Sequence, residues 1–162
     1  MKSKFTIKSY LVLILILASL YLLFIIVPAF FGNLFYEDKL FPKIFVLGLI
    51  IFTVSYLVFG ELRTKYINVE LNKNEIIVKR FFGLKAERYR VSEIEGWKYS
   101  LLPSRGGTYE YLYLYKNNKK QIKISEFYHK NYKQLKSEIQ AQYKSLGYEK
   151  FSYLDELKEI FI

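Results

Sequence analysis

Residues 10–31 read YLVLILILASLYLLFIIVPAFF, 22 positions without one charge. At about 1.5 Å per residue, a helix of that length extends roughly 33 Å, enough to cross the hydrocarbon layer of a bilayer. A core helix of a soluble protein breaks such a run with polar residues every three or four positions, and this one does not. It reads as a membrane-spanning helix. A cleavable leader is the competing reading, with Lys2, Lys4 and Lys8 as its basic start and Val27-Pro28-Ala29 as a loose cleavage site. The apolar stretch is longer than a leader needs, and Pro28 is unfavourable within such a site.

Working outward, residues 44–59 (IFVLGLIIFTVSYLVF) form a second apolar run. Leu40 and Phe41 extend it backward. Pro42 falls in the first turn, where its missing N–H costs nothing, and Lys43 can snorkel to the interface. Residues 1–60 are therefore read as a hairpin with spans at about 10–31 and 40–60. Lysines precede the first span, Arg63 and Lys65 follow the second, and the short connection carries Glu37, Asp38 and Lys39. Counted near the span ends, the Lys/Arg excess places both termini in the cytoplasm. Tyr10, Phe30, Phe31, Phe35 and Tyr36 suit an aromatic belt at the interfaces.

Composition removes several classes. With 52% hydrophobic and 19% aromatic residues among 162, the chain collapses rather than staying disordered. It has no cysteine, so disulfides and thiolate zinc or iron–sulfur sites are excluded. One histidine leaves little for metal chemistry or a Ser-His-Asp triad, and no cofactor site can be named.

After residue 60 the pattern changes from continuous to alternating. Residues 61–162 carry 20 basic and 13 acidic side chains, a net of +7. Ile67, Val69 and Leu71 alternate with polar neighbours, as in a half-buried strand. Asn72-Lys73-Asn74 is turn chemistry before a second strand over 75–82, and Gly83 precedes a third over 85–91. Gly96, within a fourth strand over 94–99, suggests a bulge or a close backbone approach. Residues 101–108 (LLPSRGGT) are a Pro/Gly loop. YEYLYLYK at 109–116 is the clearest strand, and Asn117-Asn118 suits a type I′ hairpin into the strand 119–125. Tyr128, Tyr132, Leu135, Ile139, Tyr143 and Leu146 then recur at helical spacing, with Gly147 as the expected C-cap. Ser152 could open a short terminal helix over the tail 148–162, or the tail frays. The fold class is α+β: a helical hairpin, about six strands in short antiparallel hairpins, and one closing helix.

The stretch INVELNKNEIIVKRFFGLKAERYRVSEIEGW, with the later YLYLYKNNKKQIKIS and NYKQLKSEI, resembles bacterial membrane proteins that carry a pleckstrin-homology-like (PH-like) domain after a two-helix anchor. The resemblance covers roughly residues 62–147. It implies a seven-strand, strongly bent sheet or barrel capped by one C-terminal helix, over 61–147, at the inner face of a bacterial cell membrane. Six strands are counted, so the seventh calls for a split in the first or third strand region.

No residue set announces catalysis. His129 has no orienting carboxylate or nucleophile in sight, and an ordinary structural histidine is the better reading. Ser104-Arg105-Gly106-Gly107-Thr108 lacks the spacing and the following helix of a phosphate loop. Lys73, Lys79 and Arg80 lie where phosphoinositide-binding relatives of the fold place headgroup ligands. Lys79 and Arg80 are adjacent, so on a strand they face opposite ways and that motif is not met. With Arg105 they are candidate contacts to an anionic surface, where each juxtamembrane lysine adds roughly 1 kcal/mol of attraction. Tyr109, Tyr111, Tyr113 and Tyr115 share one strand face, read either as core packing or as a partner surface. Scattered basic residues, without a recognition helix or RNA-binding sheet motif, speak against nucleic acid. The expected partners are the bilayer and either a second copy or another membrane protein. The expected role is a non-catalytic interaction or self-assembly module at the membrane, with a sensor of anionic lipid as the alternative.

Overall fold

The computed structural model describes residues 1–33, 39–104 and 107–158. Phe35, Tyr36, Glu37, Asp38 and the candidate contact Arg105 lie outside them. Helix α1 spans Tyr10–Phe31 and α2 spans Leu40–Ser55, the latter running on as a wider π-helical turn over Tyr56–Leu62. Together with their flanking turns they give two segments, Ile7–Phe31 and Leu40–Leu62, long and apolar enough to cross a membrane. Their side chains stand bare, with Phe24 and Phe41 each 78% exposed. That much apolar surface on paired helices calls for lipid as its solvent, and the chain is membrane-associated.

Seven strands follow: β1 (Asn68–Leu71), β2 (Glu75–Arg80), β3 (Lys85–Arg90), β4 (Gly96–Ser104), β5 (Gly107–Lys116), β6 (Lys119–Ser125) and β7 (Ser145–Tyr148). Helix α3 (Tyr132–Gln142) lies between β6 and β7, and α4 (Tyr153–Lys158) ends the described chain. The class is α+β, as the patterning requires. The sheet is not a closed barrel. One sheet is β1-β2-β3 and the other β6-β5-β4-β7, with β7 parallel to β4. Ile67, Val69, Leu71, Ile76 and Val78 meet Leu112, Leu114, Ile122 and Ile124 in one core. Leu135 and Ile139 of α3 complete it.

Two expectations shift for a physical reason. The helix occupies 132–142 rather than 128–146, because Tyr128 is buried in a second cluster and Tyr143 is already extended. Gly147 does not cap the helix; it sits at φ +93° within β7. The seventh strand is thus this post-helical segment, and no earlier strand splits. It is admitted by Gly96, where a Cβ would stand 2.4 Å from the carbonyl oxygen of Lys144. Asn117 and Asn118 take φ of +52° and +56°, as the hairpin requires.

The first nine residues join the sheet domain. Ser3 donates its backbone N–H to Val69 O at 2.7 Å, and the N–H of Lys130 donates to Lys4 O at 2.7 Å. Residues 2 and 5 bridge to Glu70 and His129. The N-terminal segment therefore covers the exposed edge of β1, which would otherwise invite pairing with another chain. It also holds the start of α1 and the end of α2 at the same end of the hairpin, against the domain.

Candidate functional site: a cationic cleft at the exit of the second helix

The residues after Leu62 leave the membrane helix directly into a cleft of about 650 Å³. Arg63 and Thr64 line one side, the end of β2 and start of β3 another, and β6 with α4 the rest. Seven cations line it against two carboxylates, Glu87 and Asp155. Strand pairing brings part of the set together, since Arg80 and Lys85 are opposite each other across β2 and β3.

Arg80 is the keystone of the walls. Its guanidinium donates to Arg63 O at 2.9 Å and to Gln121 O at 2.9 Å, and pairs with Glu87 at 3.2 Å. One fork thereby ties the exit of α2, the first sheet and β6. Burial disfavours the Glu87 carboxylate, but hydrogen bonds from Lys85 and Tyr89 with the Arg80 charge outweigh it and lower its pKa. The Tyr89 phenol, which donates to Glu87 at 2.9 Å, is pushed up to about 12 by burial. Lys85 and Lys119 stand exposed at the rim.

Behind the cleft lies a buried charge network. Lys65, 7% exposed, pairs with Glu61 at 2.6 Å and with Glu156 of α4 at 2.9 Å. Lys123 also pairs with Glu156. Tyr128 donates its phenol to Glu61 at 2.6 Å, and the Lys65 ammonium sits 5.6 Å from the Tyr111 ring centre. Burial opposes the charge on Lys65, yet Glu61 leads the groups that carry its pKa well above the usual lysine value. Burial likewise opposes charge on Glu156, and the Lys65 and Lys123 charges overcome it to lower its pKa. Two cations and two carboxylates thus compensate one another where either alone would be costly.

Among the described residues singled out by sequence, only Arg80 enters the cleft. Lys79 points to the other face and pairs with Glu70 at 2.9 Å, while Lys73 is exposed in the β1–β2 turn. Tyr111, Tyr113 and Tyr115 are 3%, 2% and 7% exposed, and Tyr109 is half-buried against Phe127. Their face is roofed by the chain itself. Phe151 stacks on Tyr111, Lys120 and Lys123 lie over Tyr113 and Tyr111, and Glu149 accepts from the Tyr115 phenol. Sequence reading missed Arg63, Lys85, Lys119, Lys120 and Lys123, which three separate segments bring together. The available signal was the cation at both ends of the β2–β3 loop. His129 is buried between two carbonyls, with Nδ1 2.9 Å from Ser125 O and Nε2 2.9 Å from Ile67 O, and burial lowers its pKa. Among the described residues no group of three or more His, Asp or Glu side chains is gathered as for a metal ion. Comparison with protein families, curated proteins and solved structures yields no match.

Proposed function

We propose that this chain is a PH-like module anchored by a two-helix hairpin at the cytoplasmic face of a bacterial cell membrane, where its cleft holds anionic lipid headgroups. Seven strands in two sheets, a core helix and a preceding apolar hairpin support the PH-like reading. The strand after the helix departs from that pattern. Lys2, Lys4, Lys8, Arg63 and Lys65 all flank the same end of the hairpin, and that Lys/Arg bias supports a cytoplasmic place for it. The observation that carries the binding reading is that Arg63, which lines the cleft, directly follows the last residue of the second apolar segment; this supports a cleft that opens at headgroup level. A phosphate there meets Arg63, Lys85 and Lys119 at the rim, and each cation near an anionic surface adds to the attraction. The interaction or self-assembly reading is the second proposal. It rests on the tyrosine face, which residues 148–158 occupy in the folded chain.

The test is native mass spectrometry of the full chain released from micelles holding equal phosphatidylglycerol and phosphatidylcholine. Retention of the anionic lipid several-fold over the neutral one, lost in the Lys85→Glu/Lys119→Glu variant, is expected. Equal retention of the two lipids, or a preference untouched by the variant, would overturn the reading.

A further inference from the structure

The loop joining β2 to β3 reads Phe81-Phe82-Gly83-Leu84, and its chemistry does not fit a water-facing turn. Phe81 and Phe82 take φ of +48° and +59°, and Gly83 +97°. The left-handed region is natural for glycine and tolerated by asparagine, and for a bulky aromatic it is strained. The same molecule meets the same demand elsewhere with Asn117 and Asn118. Two phenylalanines at such positions bring no turn chemistry. Nor does the loop bury what it carries, for Phe82 is 66% and Leu84 91% exposed. Strain and bare apolar surface are both unfavourable in water, and contacts within the described chain offset only part of them, since Phe82 and Leu84 stay exposed.

The position of the loop identifies what offsets the rest. Phe81 packs against the cluster in which Val12, Leu57 and Leu62 of the two spans meet Tyr66 and Tyr128. The Phe82 ring lies 5.3 Å from that of Tyr66. The loop therefore stands beside the first turn of α1 and the last turns of the second span, which, for a hairpin that spans the bilayer, is the depth where headgroups give way to acyl chains. Lys85 and Arg80 flank it, as cations flank apolar segments that enter an interface.

We propose that residues 81–84 form an interfacial wedge, with Phe82 and Leu84 immersed in the bilayer beside the hairpin. The wedge adds a lipid contact to the pairing of residues 1–9 that already holds the domain against the hairpin. It needs the hairpin to span the bilayer, but it does not depend on anion binding in the cleft.

The chain has no cysteine, so single-cysteine variants take a nitroxide at one place. Leu84→Cys, Lys73→Cys and Phe24→Cys in the full chain would be labelled and reconstituted in vesicles of phosphatidylcholine alone. Collisions with oxygen, which concentrates in lipid, and with a water-soluble nickel chelate would then be compared by electron paramagnetic resonance. The Leu84 label should favour oxygen several-fold more than the Lys73 label and approach the Phe24 label within the first span. A Leu84 label as open to the chelate as Lys73, with Phe24 still protected, would overturn the wedge and leave the hairpin intact. Chelate access at Phe24 as well would overturn the hairpin and the wedge with it. The vesicles carry no anionic lipid, so an immersed loop alongside absent headgroup preference would sink the cleft reading alone.

Discussion

Two aromatic surfaces lie outside the main core, and the chain treats them in opposite ways. Tyr111, Tyr113 and Tyr115 on β5 are roofed by Glu149, Phe151 and Glu156 with the lysines they pair with, while Phe82 and Leu84 at the β2–β3 loop are left bare. Each tyrosine has a ring face that accepts a cation and a hydroxyl that needs a partner. Lys98 lies 4.8 Å from the Tyr115 ring centre and Lys120 4.4 Å from that of Tyr113, both paired with Glu149, which also accepts from the Tyr115 phenol; Lys123, 4.8 Å from the Tyr111 ring centre, pairs with Glu156. The loop offers no polar handle, so only an apolar phase can cover it. One surface is closed by ions the chain carries, and the other waits for a solvent the chain does not carry.

If the roof is ionic, acid should lift it while leaving the loop unaffected. Glu149 and Glu156 both have pKa values below the ordinary 4.5, each against its own burial, through Lys120 and Lys65 with Lys123 respectively. A depressed carboxylate gives stability that is fully present above its unfolded value and is lost as pH falls through the folded one. Between about pH 4.5 and the folded values, the segment from Glu149 to Lys158 should therefore detach. Hydroxyl-radical footprinting of the full chain in phosphatidylcholine vesicles should show Tyr111 and Tyr113 becoming reactive in that window. Phe82, with no titratable group in its loop, should stay unchanged. Simultaneous exposure of both surfaces would mean that they belong to one cooperative unit. This is the largest effect expected, since both anchoring carboxylates are neutralised together.

Glu156→Ala removes one anchor at neutral pH. It leaves Lys65 with Glu61 alone and deprives Lys123 of Glu156. Truncating one member of a buried ion network costs roughly 3–5 kcal/mol when the charge stays buried. Here the tail can swing away and rehydrate both lysines, so a loss of about 3 kcal/mol is the expected ceiling. Thermal unfolding in detergent should report it, together with faster proteolysis after Lys150. Unchanged stability would show that the roof is held by its apolar contacts instead.

Phe151→Ala isolates that apolar share. Phe151 is half-buried, stacked 6.0 Å from Tyr111 and set edge-on to Tyr153 at 4.9 Å. Losing a half-buried ring and its two aromatic pairs should cost about 2 kcal/mol. A loss beyond that of Glu156→Ala would reverse the ranking of ionic over apolar cover.

The two surfaces also mark where sequence reading succeeds and where it stops. Uninterrupted apolar runs at 10–31 and 44–59 and the alternation of Ile67, Val69 and Leu71 are local properties, and so are legible in one dimension. Helix α3 was legible in its centre, where Tyr132, Leu135 and Ile139 face one core. Its ends were not, since Tyr128 and Leu146 keep the helical spacing while Tyr128 packs in the second cluster and Leu146 lies in β7. The alternation of Tyr and Leu in β5 declared two apolar faces but not what covers each, because the roof comes from residues 30–45 positions later. Arg63, Arg80, Lys85 and Lys119 converge only through strand pairing and the return of β6, and no local pattern encodes that meeting. The strain at Phe81 and Phe82 was hidden for the same reason: residues 75–82 read as one strand, and only the folded turn shows that β2 ends at Arg80.

The smallest expected effect tests the bare surface directly. At Phe82, φ of +59° and ψ of +20° cost an L-aromatic residue roughly 1–2 kcal/mol, and asparagine recovers part of that by bonding its own backbone. Against this, Phe82→Asn forfeits the tilted contact with Tyr66, a pair worth about 0.5–1 kcal/mol. The two nearly cancel, so the unfolding free energy in detergent should change by less than about 0.5 kcal/mol. The reciprocal substitution, Asn117→Phe, imports the strain at φ +52° without a compensating ring and should cost about 1 kcal/mol. If Phe82→Asn instead cost as much as a core phenylalanine, roughly 3 kcal/mol or more, the loop would be part of the packed domain. The contrast between a surface closed by the chain and one left for lipid would then fail at its second term.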